Sequence, residues 1–151
     1  TIEPSSDYVI PLGKARVHLE ADQTRLNYGE TLTIITYGMG VWWATNAAKN
    51  FEGRVEIIDL RTLSPCDDEA IYASVRKHNK VIVLTEETLN NSFAQAIAGR
   101  IQENCFQDLD APVKCIGSKD LPAVPMNVEL EKAMLPNEEK VAIEIQKLLD
   151  Y

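Results

Sequence analysis

The sequence predicts a three-layer α/β domain built on a mostly parallel sheet of about five strands. β-Branched and apolar runs at residues 31–37, 55–60 and 80–85 are separated by stretches with helical periodicity. Strands and helices that alternate in this way are typical of a parallel sheet covered on both faces. A length of 151 residues with 45% hydrophobic content is enough for one domain with a substantial core.

Residues 1–29 are expected to form a linker, a short edge strand and a loop before the first central strand. Residues 1–14 carry Pro4 and Pro11 and are interpreted as an incoming linker, so the folded domain is expected at 15–151. Residues 15–20 predict a short edge strand. Residues 21–29 have no apolar period and predict a hairpin-like loop.

The first central strand at 31–37 is followed by a predicted helix at 41–51, where apolar residues recur every three or four positions. The strand at 55–60 comes next. Acidic residues at 67–69 predict the start of another helix, and basic residues near His78 predict its end.

The second half continues the alternation after the apolar strand at 80–85. Residues 91–106 carry apolar side chains every four positions and predict a helix packed on a sheet. Residues 113–116 predict a short strand, and residues 117–135 are expected to wander over the surface. Asn137 is expected to cap a last helix that runs to Leu149.

Charge and composition exclude some classes of function. A net charge of -8 leaves no continuous positive track for phosphates, which argues against nucleic-acid binding and favours a basic protein partner. No apolar run approaches the ~20 residues of a membrane helix, and no signal peptide is evident, so we expect a cytoplasmic protein. The first residue, Thr1, favours a piece of a longer polypeptide.

The three cysteines, Cys66, Cys105 and Cys115, are far apart and lack metal-like spacing. We expect small, buried apolar residues in a reducing compartment. The two histidines, His18 and His78, lack a suitably spaced nucleophile or metal ligand, and both are expected at the surface or at a helix end.

Two segments that follow predicted strands contain residues that could bind a ligand or take part in catalysis. Gly38 and Gly40 precede a helix, as in phosphate-binding turns, but Trp43 stands where a third glycine would be needed, which favours a simple strand-to-helix turn. Glu86 and Glu87 follow the third central strand, at the sheet end where ligands usually bind. One of them is a weak candidate for acid–base chemistry; the alternative is a loop carboxylate bound to backbone amides.

Aromatic and charged residues suggest a candidate interface. Trp42 and Trp43 occupy adjacent helix positions about 100° apart, so at least one indole should face away from the core. Asp59 and Arg61 end a strand, where either a local turn contact or a subunit contact is expected. We therefore take Trp42, Trp43, Arg61 and Glu86 as candidate interface residues.

The sequence resembles the C-terminal domain of the beta subunits of thiamine-diphosphate-dependent 2-oxo acid dehydrogenases. Several strings together carry this resemblance along nearly the whole chain. They are YVIPLGKARV at 8–17, TYG at 36–38, VEIIDLRTLSPCD at 55–67, CFQDLDAPV at 105–113 and LEKAMLPN at 130–137. The resemblance implies the transketolase C-terminal fold within the decarboxylating component of a 2-oxo acid dehydrogenase complex.

That family oxidatively decarboxylates 2-oxo acids and passes the acyl group to lipoyl groups. We expect branched-chain 2-oxo acids to be the substrates of the parent enzyme of this chain. The family uses thiamine diphosphate and magnesium, which are held through a Gly-Asp-Gly segment and a glutamate in other domains. This chain has no Gly-Asp-Gly, so we assign it no catalytic, cofactor or metal residue and expect the fragment alone to be inactive.

By the same resemblance, this domain stabilises the subunit dimer and docks the basic peripheral binding domain of the lipoyl acyltransferase. The parent is expected to be dimeric or heterotetrameric, with alpha and pyrimidine-binding parts. Asp110 and the terminal carboxylate at Tyr151 are the candidate docking groups, although Asp110 before Pro112 also suits a simple turn.

The chain departs from the family in two places. Asn91-Ser92-Phe93 replaces a Gly-Gly-Phe turn, and Pro122 and Pro125 are spaced one residue wider than usual. The alternatives are a pyruvate dehydrogenase beta subunit, a deoxyxylulose-phosphate synthase C-terminal domain, and a stand-alone protein-interaction domain.

Overall fold

The computed structural model describes Ser5 and residues 7–151, which form alternating strands and helices. The strands are β1 (Arg16–Leu19), β2 (Leu32–Thr36), β3 (Val55–Asp59), β4 (Val81–Thr88) and β5 (Lys114–Ser118). The helices are α1 (Gln23–Asn27), α2 (Met39–Ala48), α3 (Asp68–His78), α4 (Phe93–Cys105), α5 (Val128–Met134) and α6 (Glu138–Leu149), with a 3₁₀ turn at Phe106–Asp108.

The strands form one five-stranded sheet in the order β1-β3-β2-β4-β5. Strands β2 to β5 are parallel, while β1 pairs antiparallel with β3 at the edge. All residues of β2 are buried, because this strand is flanked on both sides and covered on both faces. The predicted fold class is therefore confirmed, including the strand number.

Successive residues of the central strands point to opposite layers, as the two-residue period of a strand requires. Ile34 and Ile57 join the apolar cluster that contains α2 and α6, whereas Ile35 and Ile58 join the cluster of α3 and α4. Across the sheet, the connection from β2 to β3 runs in one direction, and the connection from β3 to β4 runs back past β2 in the opposite direction. Right-handed crossovers then place α2 and α3 on opposite faces.

Two predicted loops contain short helices. Residues 21–29 hold α1, whose first turn is capped by the Asp22 side chain, and residues 117–135 hold α5, capped by Asn127. Both predictions of irregular structure were wrong at these points. Apolar periodicity is weak in helices this short, so the side-chain caps were the available signal.

The incoming segment is tied to the domain from Gly13 onward. The Gly13 N–H donates to Thr62 Oγ1 at 2.9 Å, and the Ala15 N–H donates to Asp67 Oδ2 at 2.9 Å. Part of the predicted linker, residues 1–4 and 6, lies outside the described residues. In the described part, no helix combines the length and apolarity needed to cross a bilayer.

The burial of the three cysteines and the exposure of His18 are only partly as expected. All three cysteines are free, and Cys105 is buried, but Cys66 and Cys115 are only half-buried. His18 is half-buried on β1.

His78 lies at a helix end, as one of its two expected places, but it is buried and not at the surface. It ends α3, but only 3% of it is exposed, because the helix end packs against the strands β2 and β3. The His78 Nδ1 lies 2.8 Å from Thr31 Oγ1, and its Nε2 lies 3.2 Å from Glu56 Oε1. A buried histidine with two polar partners joins the helix to the sheet.

Glu56 is the centre of this buried polar cluster. Its Oε1 accepts a hydrogen bond from Ser74 Oγ at 2.7 Å, and its Oε2 accepts one from the Lys77 ammonium. Ser74 Oγ also lies 2.7 Å from Thr33 Oγ1. Burial raises the pKa of Glu56, but His78, Lys77 and Ser74 outweigh burial and lower this pKa to about 2.

We expect Glu56→Gln to destabilise the domain by about 3 kcal/mol at pH 7, because it removes the negative partner of a buried, hydrogen-bonded pair. The folded-state pKa of about 2 lies below the ordinary value of 4.5. The stabilisation is therefore complete above pH 4.5 and is lost as the pH falls toward 2. Denaturant unfolding of both proteins at several pH values measures this gap.

The matched control is Glu52→Gln, since Glu52 is exposed and forms no salt bridge with another described residue. This control should change the free energy of unfolding by no more than about 0.5 kcal/mol. A gap for Glu56→Gln that stays constant down to pH 2 would contradict the assigned role of the carboxylate.

Candidate interaction surfaces

The ends of the parallel strands define two opposite edges of the sheet. We call the end where β2 to β5 finish the carboxyl edge and the end where they begin the amino edge. Strand order reverses at β2, between β3 and β4. In open α/β sheets this point of the carboxyl edge is the usual place for a ligand.

A hydrogen-bonded cluster occupies the carboxyl edge at this reversal. The Tyr37 hydroxyl lies 2.7 Å from Thr85 Oγ1 and donates to Glu87 Oε1 at 2.9 Å. The same Glu87 oxygen accepts the Phe93 N–H at 2.8 Å, at the start of α4. Glu86 and Glu87 were expected after the strand, but both lie within β4, because the strand continues to Thr88. Through its contact with the Phe93 N–H, Glu87 joins the end of β4 to the start of α4.

The tyrosine of this cluster remains protonated at neutral pH. Burial raises the pKa of Tyr37, the hydrogen bond with Thr85 opposes this rise, and the Glu87 carboxylate adds to it, which gives a pKa of about 12. The phenol is therefore a hydrogen-bond donor rather than a base. Phe93 meets the Tyr37 ring edge-on, with centroids 6.4 Å apart. The arrangement supports a structural role.

The glycines after β2 form a tight strand-to-helix turn. Gly38 has φ +56°, a left-handed conformation that favours glycine. A Cβ on Gly40 would overlap Thr36 Oγ1 and would lie 3.4 Å from Leu84 Cγ. Thr36 Oγ1 donates to the Leu84 carbonyl at 2.9 Å, so Gly40 lets α2 approach a bridge between β2 and β4. This geometry supports the turn reading of Gly38 and Gly40.

The adjacent tryptophans have different environments. Trp43 is 8% exposed and packs in the core with α6, whereas Trp42 is 66% exposed. The expectation that one indole faces outward is met by Trp42, because the first turn of α2 presents it away from the sheet. An interface role for either indole stays a prediction.

Arg61 and Glu86 lie at the same edge as Trp42. Arg61 has φ +59°, and its N–H donates to Asp59 Oδ1 at 3.1 Å, which is the local turn contact expected there. Glu86 is exposed beside Glu87 and forms no salt bridge with another described residue. The strand ends after β2, β3 and β4 bring these three candidates to one edge.

Large exposed apolar side chains are concentrated on segments that adjoin this edge. They come from the incoming segment, the start of α2, the connection after β5 and α5. We call this set the carboxyl-edge face: Tyr8, Val9, Ile10, Leu12, Met39, Trp42, Leu121, Val124, Met126, Val128 and Leu130. Because contiguous exposed apolar surface is typical of interaction sites, this face is a candidate interface.

The apolar residues between Leu121 and Leu130 were not among the candidate residues predicted from the sequence. Their signal was a run of apolar side chains in a proline-bearing segment without the period of a buried helix or strand. The Lys119 N–H donates to the Met134 carbonyl at 3.2 Å, which ties the end of α5 to the end of β5. That contact holds the segment at the carboxyl edge.

The two candidate docking residues lie at the opposite, amino edge. Asp110 is exposed, and its N–H donates to the Asn79 carbonyl at 2.9 Å, just before β4 begins. Tyr151 follows α6 and is exposed. Ala111 and Leu149, the near neighbours of these residues, belong to one apolar cluster. The Asp110 N–H thus bonds to a distant segment and not within a turn, and its side chain is exposed. A docking role for Asp110 and Tyr151 stays a prediction.

The expectation that this domain holds neither thiamine diphosphate nor magnesium stays a prediction. No three His, Cys, Asp or Glu side chains among Ser5 and residues 7–151 are grouped so as to hold a metal ion. A Cβ on Gly40 would meet Thr36 Oγ1, whereas a Cβ on Gly38 would meet no atom within 4 Å. Trp43 stands where a dinucleotide-binding turn has its third glycine.

Comparisons with known proteins agree on one family. Residues 21–141 match the family model described as "Transketolase, C-terminal domain". The chain is 38% identical to a 2-oxoisovalerate dehydrogenase subunit beta of Bacillus subtilis, over 98% of this chain and 44% of that protein. It is 37% identical to a pyruvate dehydrogenase subunit beta of Rhizobium meliloti, over 87% of this chain and 27% of that protein.

A solved structure described as a split-gene transketolase, an inactive beta4 tetramer, has the same fold. It superposes with a TM-score of 0.77 over 97% of this chain and 45% of that chain, at 23% sequence identity. The chain thus spans less than half the length of each of these relatives.

Gly40→Ala should destabilise the domain by about 2 kcal/mol, because the added methyl group displaces the Thr36 hydroxyl from its bridge. Thermal and denaturant unfolding measure the effect. Gly99→Ala in α4 is the matched control, since a Cβ there meets no atom within 4 Å. The control should gain about 0.5–1 kcal/mol from helix propensity. Equal effects of the two substitutions would contradict the close approach at Gly40.

Proposed function

Because the chain belongs to the family of transketolase C-terminal domains, we propose that it is the assembly and partner-docking domain of a 2-oxo acid dehydrogenase. The parent would be the decarboxylating component of the complex, acting on branched-chain 2-oxo acids. The family match and the identity to beta subunits support this assignment. The carboxyl-edge face is the single observation on which the assembly role rests.

Assembly at the carboxyl edge follows from the cost of exposed apolar surface. Each apolar Å² removed from water contributes roughly 25 cal/mol, and aromatic anchors such as Trp42 often dominate an interface. The face also includes Met39, one turn before Trp42 on α2. We propose that the remainder of the parent enzyme and a second beta-type subunit cover this face.

Docking at the amino edge would leave the carboxyl edge free for assembly. The domain is acidic, and Asp110 and Tyr151 are both exposed there. We propose that they meet the basic peripheral binding domain of a lipoyl acyltransferase. Complementary charge would steer this encounter and increase its rate.

The cofactors belong, in this proposal, to other parts of the parent. Thiamine diphosphate supplies the carbanion chemistry of decarboxylation when bound there, and magnesium holds its diphosphate. In this proposal the domain contributes no reacting group, because Tyr37 stays protonated and Glu87 is held by hydrogen bonds to Tyr37 and the Phe93 N–H, while Glu86 is exposed on its own. The fragment alone would therefore be inactive, and the whole enzyme would work in the cytoplasm.

The substrate is tested in the full-length parent with thiamine diphosphate and magnesium. We expect faster decarboxylation of 3-methyl-2-oxobutanoate than of pyruvate. Preference for pyruvate would keep the family and change the substrate, as the pyruvate dehydrogenase relative suggests. Absence of turnover with either acid would reject the dehydrogenase assignment.

Trp42→Ser should weaken subunit association of the parent at least tenfold, because loss of a central aromatic anchor typically costs about 2 kcal/mol or more. Sedimentation over a range of concentrations measures the dissociation constant. The matched control is Ile143→Ser on α6, an exposed apolar residue outside the carboxyl-edge face. An equal weakening by both substitutions, or by neither, would contradict assembly at this face.

Asp110→Asn, combined with amidation of the terminal carboxylate of Tyr151, should lower the association rate with the basic peripheral binding domain roughly threefold to tenfold at low salt. The effect should shrink as ionic strength rises. Asp120→Asn is the control, because Asp120 is an exposed carboxylate at the carboxyl edge. Stopped-flow or surface-binding kinetics measure the rates. A slower association with the control alone would place docking at the other edge.

A further inference from the structure

A groove of about 440 Å³ lies between α2 and the connection from α5 to α6. Its floor is apolar and consists of Trp43, Leu135 and Pro136. Pro136 and Trp43 are buried, so the floor is held by the core and does not depend on a mobile surface side chain. The groove therefore offers a preformed apolar floor.

The rim of this groove is acidic. Glu131, Glu138 and Glu139 line it, and none of them forms a salt bridge with another described residue. Glu138 and Glu139 occupy the first turn of α6, where the helix dipole favours negative charge. Their carboxylates are exposed, which leaves them free to meet cations from a partner.

Of the two lysines near the groove, Lys140 is bound by backbone carbonyls, whereas Lys132 is largely exposed. Lys140 donates to the carbonyls of Lys132, Ala133 and Leu135 at 3.1, 3.4 and 2.5 Å, so its ammonium caps the end of α5. Lys132 lines the groove, but its ammonium lies 3.7 Å from the Glu129 carboxylate. The negative rim is thus only partly neutralised by the domain itself.

We propose that this groove binds a basic segment of a partner protein. An aliphatic side chain of the segment would lie on the floor formed by Trp43, Leu135 and Pro136, and flanking lysine or arginine side chains would meet Glu131, Glu138 and Glu139. The charge of the rim disfavours an acidic segment. This inference goes beyond the proposed function, since Asp110 and Tyr151 lie at the amino edge. The groove adjoins the carboxyl-edge face, because α2 and α5 contribute residues to both, and its binding is therefore tested on the domain alone.

The probe is the acetylated and amidated peptide Lys-Arg-Leu-Arg-Lys, titrated into the 151-residue chain and followed by ¹H–¹⁵N NMR. We expect saturable shifts at the Trp43 indole N–H and at the amides of residues 135–139, with weaker binding at higher salt. The peptide Glu-Asp-Leu-Asp-Glu should produce no such shifts. Shifts spread over the whole surface, or equal shifts with the acidic peptide, would overturn the proposal.

The groove variant combines Glu131→Gln, Glu138→Gln and Glu139→Gln and should weaken peptide binding about tenfold. The matched control combines Glu20→Gln, Glu52→Gln and Glu103→Gln, which removes the same charge from exposed positions outside the groove. The control should change affinity less than twofold. Equal weakening by both triple variants would show that only net charge attracts the peptide and would reject the groove as the site.

Discussion

The pairing of β2 with both β3 and β4 is the constraint on which the rest of the domain depends. This central strand has partners on each side and apolar layers on both faces, so all of its residues are buried. The chain leaves β2 in one direction and returns past it in the other, and right-handed crossovers then distribute the helices over two faces. The same reversal brings the ends of β2, β3 and β4 together at one edge.

Two different contacts hold helices to the central strands β2, β3 and β4. At the carboxyl edge, Gly40 allows α2 to approach the Thr36 hydroxyl, which bridges to the Leu84 carbonyl. At the other end of the sheet, Glu56 and His78 join α3 to β3 through a buried polar cluster. The first contact depends on the absence of a side chain. The second depends on a carboxylate whose negative charge is satisfied from several directions.

The two edges of the sheet have different surfaces, and this difference organises the proposed roles. Most of the large exposed apolar side chains belong to the carboxyl-edge face, with Trp42 and Met39 on α2, whereas Asp110 and Tyr151 stand at the amino edge. Exposed apolar side chains outside that face include Tyr28 and Phe106. Apolar area supports stable assembly, and exposed charge supports fast, salt-sensitive association. A domain with both kinds of surface on opposite edges can remain in an assembly while it meets another partner.

The sequence by itself determined the alternation of strands and helices, the parallel sheet and the family resemblance. These properties follow from two-residue and 3.6-residue apolar periods and from local caps such as Asn137, which act within a few residues along the chain. The outward place of Trp42 was predictable for the same reason, because adjacent helix positions diverge in angle.

Only the tertiary structure decided which residues share an edge and which polar groups are buried. His78 looked like a surface helix end, yet it is buried because Thr31 and Glu56, far away in sequence, surround it. The apolar residues from Leu121 to Leu130 follow neither a helical nor a strand period, so they were not among the candidate residues predicted from the sequence. They are exposed on the segment that leads into α5, and the end of α5 is bonded to the end of β5. Burial and shared edges arise from contacts between distant parts of the chain, which no local pattern encodes.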